Sequence, residues 1–294
     1  MHEQPELISE HACFGGVQRF YRHASRAIGL PMRFSIFLPA AAVAAEADSN
    51  AGTSGRLPAL FYLAGLTCNE ETFMTKAGAQ RYAAEAGMVL IAPDTSPRGA
   101  GVPGEADDWE VGVGAGFYVD ATVAPWSTHY RMHSYLLELH ALVIDQFAID
   151  AERIGIFGHS MGGHGALVMA LRHPELFRSV SAFAPIAAPS LCPWGEKAFG
   201  TYLGADSAHW ASYDASELMR KAQAPIAGGI LIDQGLGDKF LRTQLRPDVF
   251  ENACAQAGQA LTVRRHPLYD HGYYFVATFM GDHLRFHEEN LRQK

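Results

Sequence analysis

Five short strand-like runs constrain this chain more than any other feature. They are Ala59 to Leu63, Met88 to Ala92, Arg153 to Phe157, Ser179 to Phe183 and Ile230 to Asp233. Runs that stay apolar along their length, with little in–out alternation, predict strands buried on both faces. Such strands belong to a mainly parallel sheet covered by helices. Helical patterns fall between them as that architecture requires: Lys76 to Ala86, Arg131 to Phe147, Met161 to Arg172, Pro247 to Ala257 and Tyr273 to Asn290. Leu261 to His266 adds a last strand. At the other end, Val17 to His23 and Met32 to Leu38 read as an antiparallel pair on one edge. The predicted fold is α/β: a mostly parallel central sheet, antiparallel N-terminal strands, and helices on both faces. Three stretches read as loops: Ala40 to Arg56, residues 97–117 with Glu105, Asp107 and Asp108, and an irregular insertion over 185–215. Strand patterning resumes at once after Arg56, so residues 1–294 are expected to form one domain.

Composition narrows the function classes. Hydrophobic residues make up 48 % and charged residues 18 %, ample for a core and unlike a disordered chain. No run approaches the ~20 apolar residues that a membrane helix needs. With 23 basic against 31 acidic residues the net charge is −8, which argues against nucleic acid or an anionic membrane as partner. The start, MHEQPELISEHACFGG, lacks a basic and then apolar leader pattern, which points to the cytoplasm. Cys13, Cys68, Cys192 and Cys254 are scattered and form no disulfide framework. The 14 histidines include no HExxH and no Cys/His cluster, so neither a metal nor another cofactor is expected.

The strongest local signal is Gly158-His159-Ser160-Met161-Gly162, a G-x-S-x-G pattern between a strand and a helix. In that setting the serine sits on a strained turn with its hydroxyl raised above the sheet, facing a helix N-terminus. A serine hydroxyl is a weak nucleophile until a neighbouring base takes its proton, and the base needs an orienting acid. In this kind of fold the chain order is Ser, then Asp or Glu, then His. Asp238 lies in the Gly-rich turn after one strand, and His271 follows the last strand. Asp233 competes with Asp238, but it sits at a strand end. His159 is expected to project away from the serine, His164 to pack inside the helix, and His266 to belong to a strand. The oxyanion donors expected are the backbone N–H groups of Met161 and of Leu66, the latter in the loop after an early strand.

With these residues in place the chain resembles the esterase D family of S-formylglutathione hydrolases. The resemblance runs over nearly the whole length. It is carried by Leu63-Ala64-Gly65-Leu66-Thr67-Cys68, Ala92-Pro93-Asp94-Thr95-Ser96-Pro97-Arg98-Gly99, Pro125-Trp126, Gly158 to Leu167, Pro193-Trp194-Gly195 and Asp270-His271-Gly272-Tyr273. It implies a cytosolic serine hydrolase that cleaves a glutathione thioester to formate and glutathione. Ser160, Asp238 and His271 match the family triad, Leu66 and Met161 its oxyanion donors, and Cys68 a cysteine near the site that confers sensitivity to thiol reagents. It also implies a formyl-sized pocket, which Met161, Trp126 and Trp194 could close. A homodimer stays open at this level. Ala64 and Gly272 replace serines expected by the family pattern, and the Ala40 to Arg56 segment is longer than usual. The alternatives are a general short-chain carboxylesterase, an acyltransferase, and a hydrolase fold that only binds.

Overall fold

The computed structural model describes residues 4–47 and 55–292. Strands β1 (Glu6–Cys13), β2 (Gly16–Ala24) and β3 (Pro31–Leu38) come first, then helix α1 (Ala40–Ala47). β4 (Leu57–Leu63), α2 (Glu70–Lys76), α3 (Ala79–Ala86) and β5 (Val89–Pro93) follow. Next are α4 (Met132–Gln146), β6 (Ile149–His159), α5 (Met161–Arg172) and β7 (Ser179–Phe183). The last elements are α6 (Pro193–Leu203), α7 (Ala215–Arg220), β8 (Ile230–Gly235), α8 (Pro247–Ala257), β9 (Leu261–His266) and α9 (Tyr273–Arg292).

These strands form one nine-stranded sheet in the order β1-β2-β3-β5-β4-β6-β7-β8-β9. β1, β2, β3 and β5 pair antiparallel in turn, and every pair from β5 through β4 to β9 is parallel. The expected α/β architecture is thus present. The apolar runs are buried for the expected reason: every residue of β5, β7 and β8 is sequestered. A parallel sheet delivers the carboxyl ends of its strands to one edge. The turns after β4, β6, β8 and β9 therefore meet there, which is what assembles a site from distant segments.

Several expectations fail locally. Residues 40–47 are helical, not loop, because a run of alanines has the highest helix propensity and Ala42 finds a buried seat. The rest of that segment, 48–54, lies outside the described residues. Lys76 to Ala86 is not one helix. α2 starts early at a capping box on Asn69, and the chain breaks at Gly78, which is left-handed at φ 64°. The insertion over 185–215 contains α6, begun at Pro193 and buried through Trp194, Phe199 and Tyr202. β1 was not foreseen, since its residues are mostly exposed and carry no burial pattern. Among the described residues no helix is long and apolar enough to cross a membrane.

Several buried histidines pack as neutral groups. Burial pushes His133 down to about 3 and His140 and His164 down to about 4. A histidine depressed in the folded state gains its proton first in the unfolded chain. Stability is therefore held above about pH 6.5 and falls as the pH drops toward 4. Each such residue withdraws up to about 3 kcal/mol by that point. Thermal melts should show the midpoint falling between pH 7 and pH 4.5. A midpoint constant over that range would contradict the neutral burial of these rings.

Candidate active site

The turn between β6 and α5 holds Ser160 at φ 59° and ψ −119°, a left-handed conformation costly for a side-chain-bearing residue. The flanking glycines make the turn feasible. A Cβ on Gly162 would lie 1.9 Å from the Leu63 carbonyl oxygen, and one on Gly158 would lie 2.3 Å from that of Gly162. The turn is locked from both sides. The Ser160 N–H donates to the Phe183 carbonyl at 3.0 Å, and the Ser160 carbonyl accepts from His164 at 3.0 Å and Ile186 at 3.2 Å.

The loops after β8 and β9 bring the other two residues to it. The Ser160 hydroxyl lies 2.9 Å from His271 Nε2, and His271 Nδ1 lies 2.5 Å from Asp238 Oδ2. The second oxygen of Asp238 accepts the Phe240 N–H at 2.8 Å. This fixes the carboxylate and assigns the tautomer: Nδ1–H donates to Asp238, and Nε2 accepts from the serine. Such a chain can withdraw a proton from the serine oxygen as it attacks a carbonyl carbon.

Asp233 is engaged elsewhere. It is wholly buried on β8, opposite Arg264 on β9, whose Nε and Nη2 grip both its oxygens at 2.6 Å. Burial alone would raise its carboxyl. Hydrogen bonds from His283 and Arg264 outweigh that and hold it well below the usual range. His164 donates from Nε2 to the Phe117 carbonyl at 3.0 Å and packs in the core. His266 also faces Asp233, at 3.3 Å. His159 does point away from the serine hydroxyl, but its ring reaches His271, with centroids 4.5 Å apart. Burial and then the neighbouring His271 push it well below the ordinary histidine value, so it packs there uncharged.

The loop after β4 comes against Ser160. A Cβ on Gly65 would lie 3.2 Å from the Ser160 Cβ, so the Leu66 amide sits in the adjoining peptide. Among the described residues neither the Leu66 nor the Met161 N–H has a protein acceptor. That loop is held by contacts the sequence did not reveal. The Cys68 carbonyl accepts from Thr95 Oγ1 at 2.5 Å and from Arg98 at 3.1 Å, while Tyr118 donates to the Ala64 carbonyl at 2.9 Å. Cys68 itself is half-buried. Burial raises its thiol above the ordinary value, against the opposing hydroxyls of Thr72 and Tyr273. Trp194 packs on Phe240, and Phe240 lies edge-on to His271 with centroids 5.2 Å apart. Trp126 packs instead on Tyr130 and Tyr202. Among the described residues it makes no ring contact with His271. Gly272 donates its N–H to Asp270, and a Cβ there would approach that carboxylate to 3.1 Å.

Comparison with known proteins now decides the family. Residues 25–286 match the Esterase family model. An S-formylglutathione hydrolase from Rattus norvegicus is 50 % identical over 97 % of this chain and 98 % of its own. One from Paracoccus denitrificans is 51 % identical over 97 % and 98 %. The chain belongs to the S-formylglutathione hydrolase family. A solved S-formylglutathione hydrolase from Agrobacterium tumefaciens superposes with a TM-score of 0.90 at 47 % identity, covering 97 % of this chain and 99 % of that one. Family membership makes the chain a hydrolase. Ala64 precedes Gly65 in the loop that backs Ser160, and Gly272 follows His271.

Proposed function

We infer that this chain hydrolyses S-formylglutathione to formate and glutathione, with Ser160 as nucleophile, His271 as general base and acid, and Asp238 as the orienting acid. The observation that carries the reading is the Ser160–His271–Asp238 chain at 2.9 and 2.5 Å on a strained turn. Relatives about half identical to this chain bear the name of that activity.

Ser160 Oγ attacks the formyl carbon while His271 Nε2 takes the hydroxyl proton. The carbonyl oxygen becomes an oxyanion received by the N–H groups of Leu66 and Met161. Each such donor contributes ~3–4 kcal/mol in comparable sites. As the intermediate collapses, the carbon–sulfur bond breaks and the proton on His271 goes to the glutathione sulfur. Water then attacks the formyl ester, His271 takes its proton, and formate leaves as Ser160 recovers its hydrogen. Trp194, through Phe240, walls the His271 side of the acyl position. We read residues 1–294 as one hydrolase domain, supported by the continuous sheet. Four free thiols support a reducing compartment such as the cytoplasm.

The acyl series tests the reading. Each methylene refused by a pocket costs ~1–3 kcal/mol, or about 10–200-fold. On a common glutathione leaving group, kcat/KM should fall steeply from formyl to acetyl to butyryl. Equal or greater efficiency with butyryl would replace this reading with a general short-chain carboxylesterase.

Cys68 modulates rather than attacks. It lies two residues beyond Leu66, and its raised thiol leaves little thiolate at neutral pH. Cys68→Ser should stay active and lose most inhibition by thiol reagents. A folded but inactive Cys68→Ser would give the thiol a direct catalytic role.

A further inference from the structure

Two strands along the sheet from Ser160, the same edge holds a cavity walled in part by charged side chains that no step of the hydrolysis uses. β4, β5 and β6 run parallel, so Ala64, Asp94 and Ser160, each one residue past its strand, share that edge. β3 runs the other way, so Pro31 to Arg33 join them at its start. Between β3, the Asp94 turn and the start of α2 lies a cavity of about 420 Å³, lined by Arg22, Arg33, Arg98, Glu70 and Asp94.

Three of these charges are engaged within the protein. Arg98 grips both oxygens of Asp94 at 2.6 and 2.8 Å, and Arg22 reaches outward to Glu6 at 2.7 Å. Glu70 and Arg33 are held more loosely: the Glu70 carboxylate has a backbone N–H, but among the described residues no cation is within hydrogen-bond distance of it. The Glu70 side chain is 4 % exposed, and the cation beside it, Arg33, stands at 3.9 Å, beyond hydrogen-bond distance. Burial, and then the charge of Asp94, push the Glu70 carboxyl up. A buried carboxylate calls for a hydrogen-bonding cation, and the open direction from Glu70 is the cavity. Arg33 offers a half-exposed guanidinium fork to a carboxylate at the same place. An ion-pair cluster meant only to brace the fold would close Arg33 onto Glu70.

A ligand with one ammonium and one carboxylate on the same carbon satisfies both groups. We propose that this cavity binds the γ-glutamyl head of the glutathione thioester, its ammonium at Glu70 and its α-carboxylate at Arg33. The proposal rests on the S-formylglutathione reading of the site. Reach is adequate. Gly65, whose Cβ position lies 3.2 Å from the Ser160 Cβ, accepts at its carbonyl from the Cys68 N–H at 3.3 Å, and the Cys68 carbonyl accepts from Arg98 at 3.1 Å. One turn of backbone thus separates the nucleophile from the cavity wall. In glutathione the cysteinyl and γ-glutamyl residues are adjacent, and seven bonds join the sulfur to the glutamyl α-carbon, roughly 8–9 Å when extended. The cavity also answers an electrostatic difficulty. A net charge of −8 repels an anionic substrate at long range, so recognition has to come from a local cluster of arginines.

The test compares S-formylglutathione with S-formyl-N-acetylcysteamine, which keeps the thioester and lacks the head. Arg33→Gln and Glu70→Gln should each lower the ratio of their kcat/KM values about tenfold, chiefly through KM for S-formylglutathione. They should also weaken inhibition by S-methylglutathione about tenfold. Glu70 is buried, so the half-exposed Arg33 keeps the test decisive if Glu70→Gln fails to fold. An unchanged ratio and unchanged inhibition in folded Arg33→Gln, with wild type active on S-formylglutathione, would overturn the cavity assignment and leave the hydrolase reading standing. A wild type inactive on S-formylglutathione would overturn both.

Discussion

Ser160→Ala should lose about 10⁶ in kcat while folding normally. The loss equals about 8 kcal/mol of transition-state stabilisation. Its size follows from the site: the hydroxyl is the one oxygen within hydrogen-bond distance of His271 Nε2 among the described residues. Folding should survive because the turn is held by backbone bonds to Phe183, His164 and Ile186, none of which uses the side chain. His271→Ala should be similarly impaired. The double variant should be little worse than either alone, since neither residue works without the other. A Ser160→Ala protein keeping a tenth of wild-type kcat would require another nucleophile.

Asp238→Asn should lower kcat by about 10⁴, whereas Asp233→Asn should mainly lower stability. The geometry explains the first. One Asp238 oxygen accepts the Phe240 N–H at 2.8 Å, so an asparagine keeps its carbonyl there and turns its NH₂ toward His271 Nδ1. The ring must then hold its proton on Nε2, facing Ser160, and cannot accept the serine hydrogen. Asp233 has no contact with His271 and is gripped by Arg264. Its neutralisation leaves a charge without its buried partner, at a cost of about 3–5 kcal/mol in stability. Parallel melts and kinetics separate the two. A stable, inactive Asp233→Asn beside an active Asp238→Asn would reverse the assignment of the acid.

The parts of the site legible in the sequence are those written in short range. Gly158-His159-Ser160-Met161-Gly162 carries its own turn geometry, and its place between an apolar strand and a helix follows from neighbouring residues. Asp238 and His271 follow from chain order once the strands are read. What escaped depends on residues far apart in sequence. The grip of Thr95 and Arg98 on the Cys68 carbonyl spans about thirty positions. The wall made by Phe240 depends on where the loop after β8 folds back. The cavity beside Arg33 exists because β3 lies next to β5, a neighbour relation that no local pattern encodes. β1 and α1 escaped for a different reason, since both are largely exposed and burial patterning is what reveals an element.

The most direct test of the central claim is kcat/KM for S-formylglutathione measured beside p-nitrophenyl acetate on the same preparation. The account predicts that the thioester exceeds the ester by orders of magnitude, with formate and glutathione released in equal amounts and both activities lost in Ser160→Ala. An efficiency on S-formylglutathione no greater than on p-nitrophenyl acetate, or a thioesterase activity that survives Ser160→Ala, would contradict it.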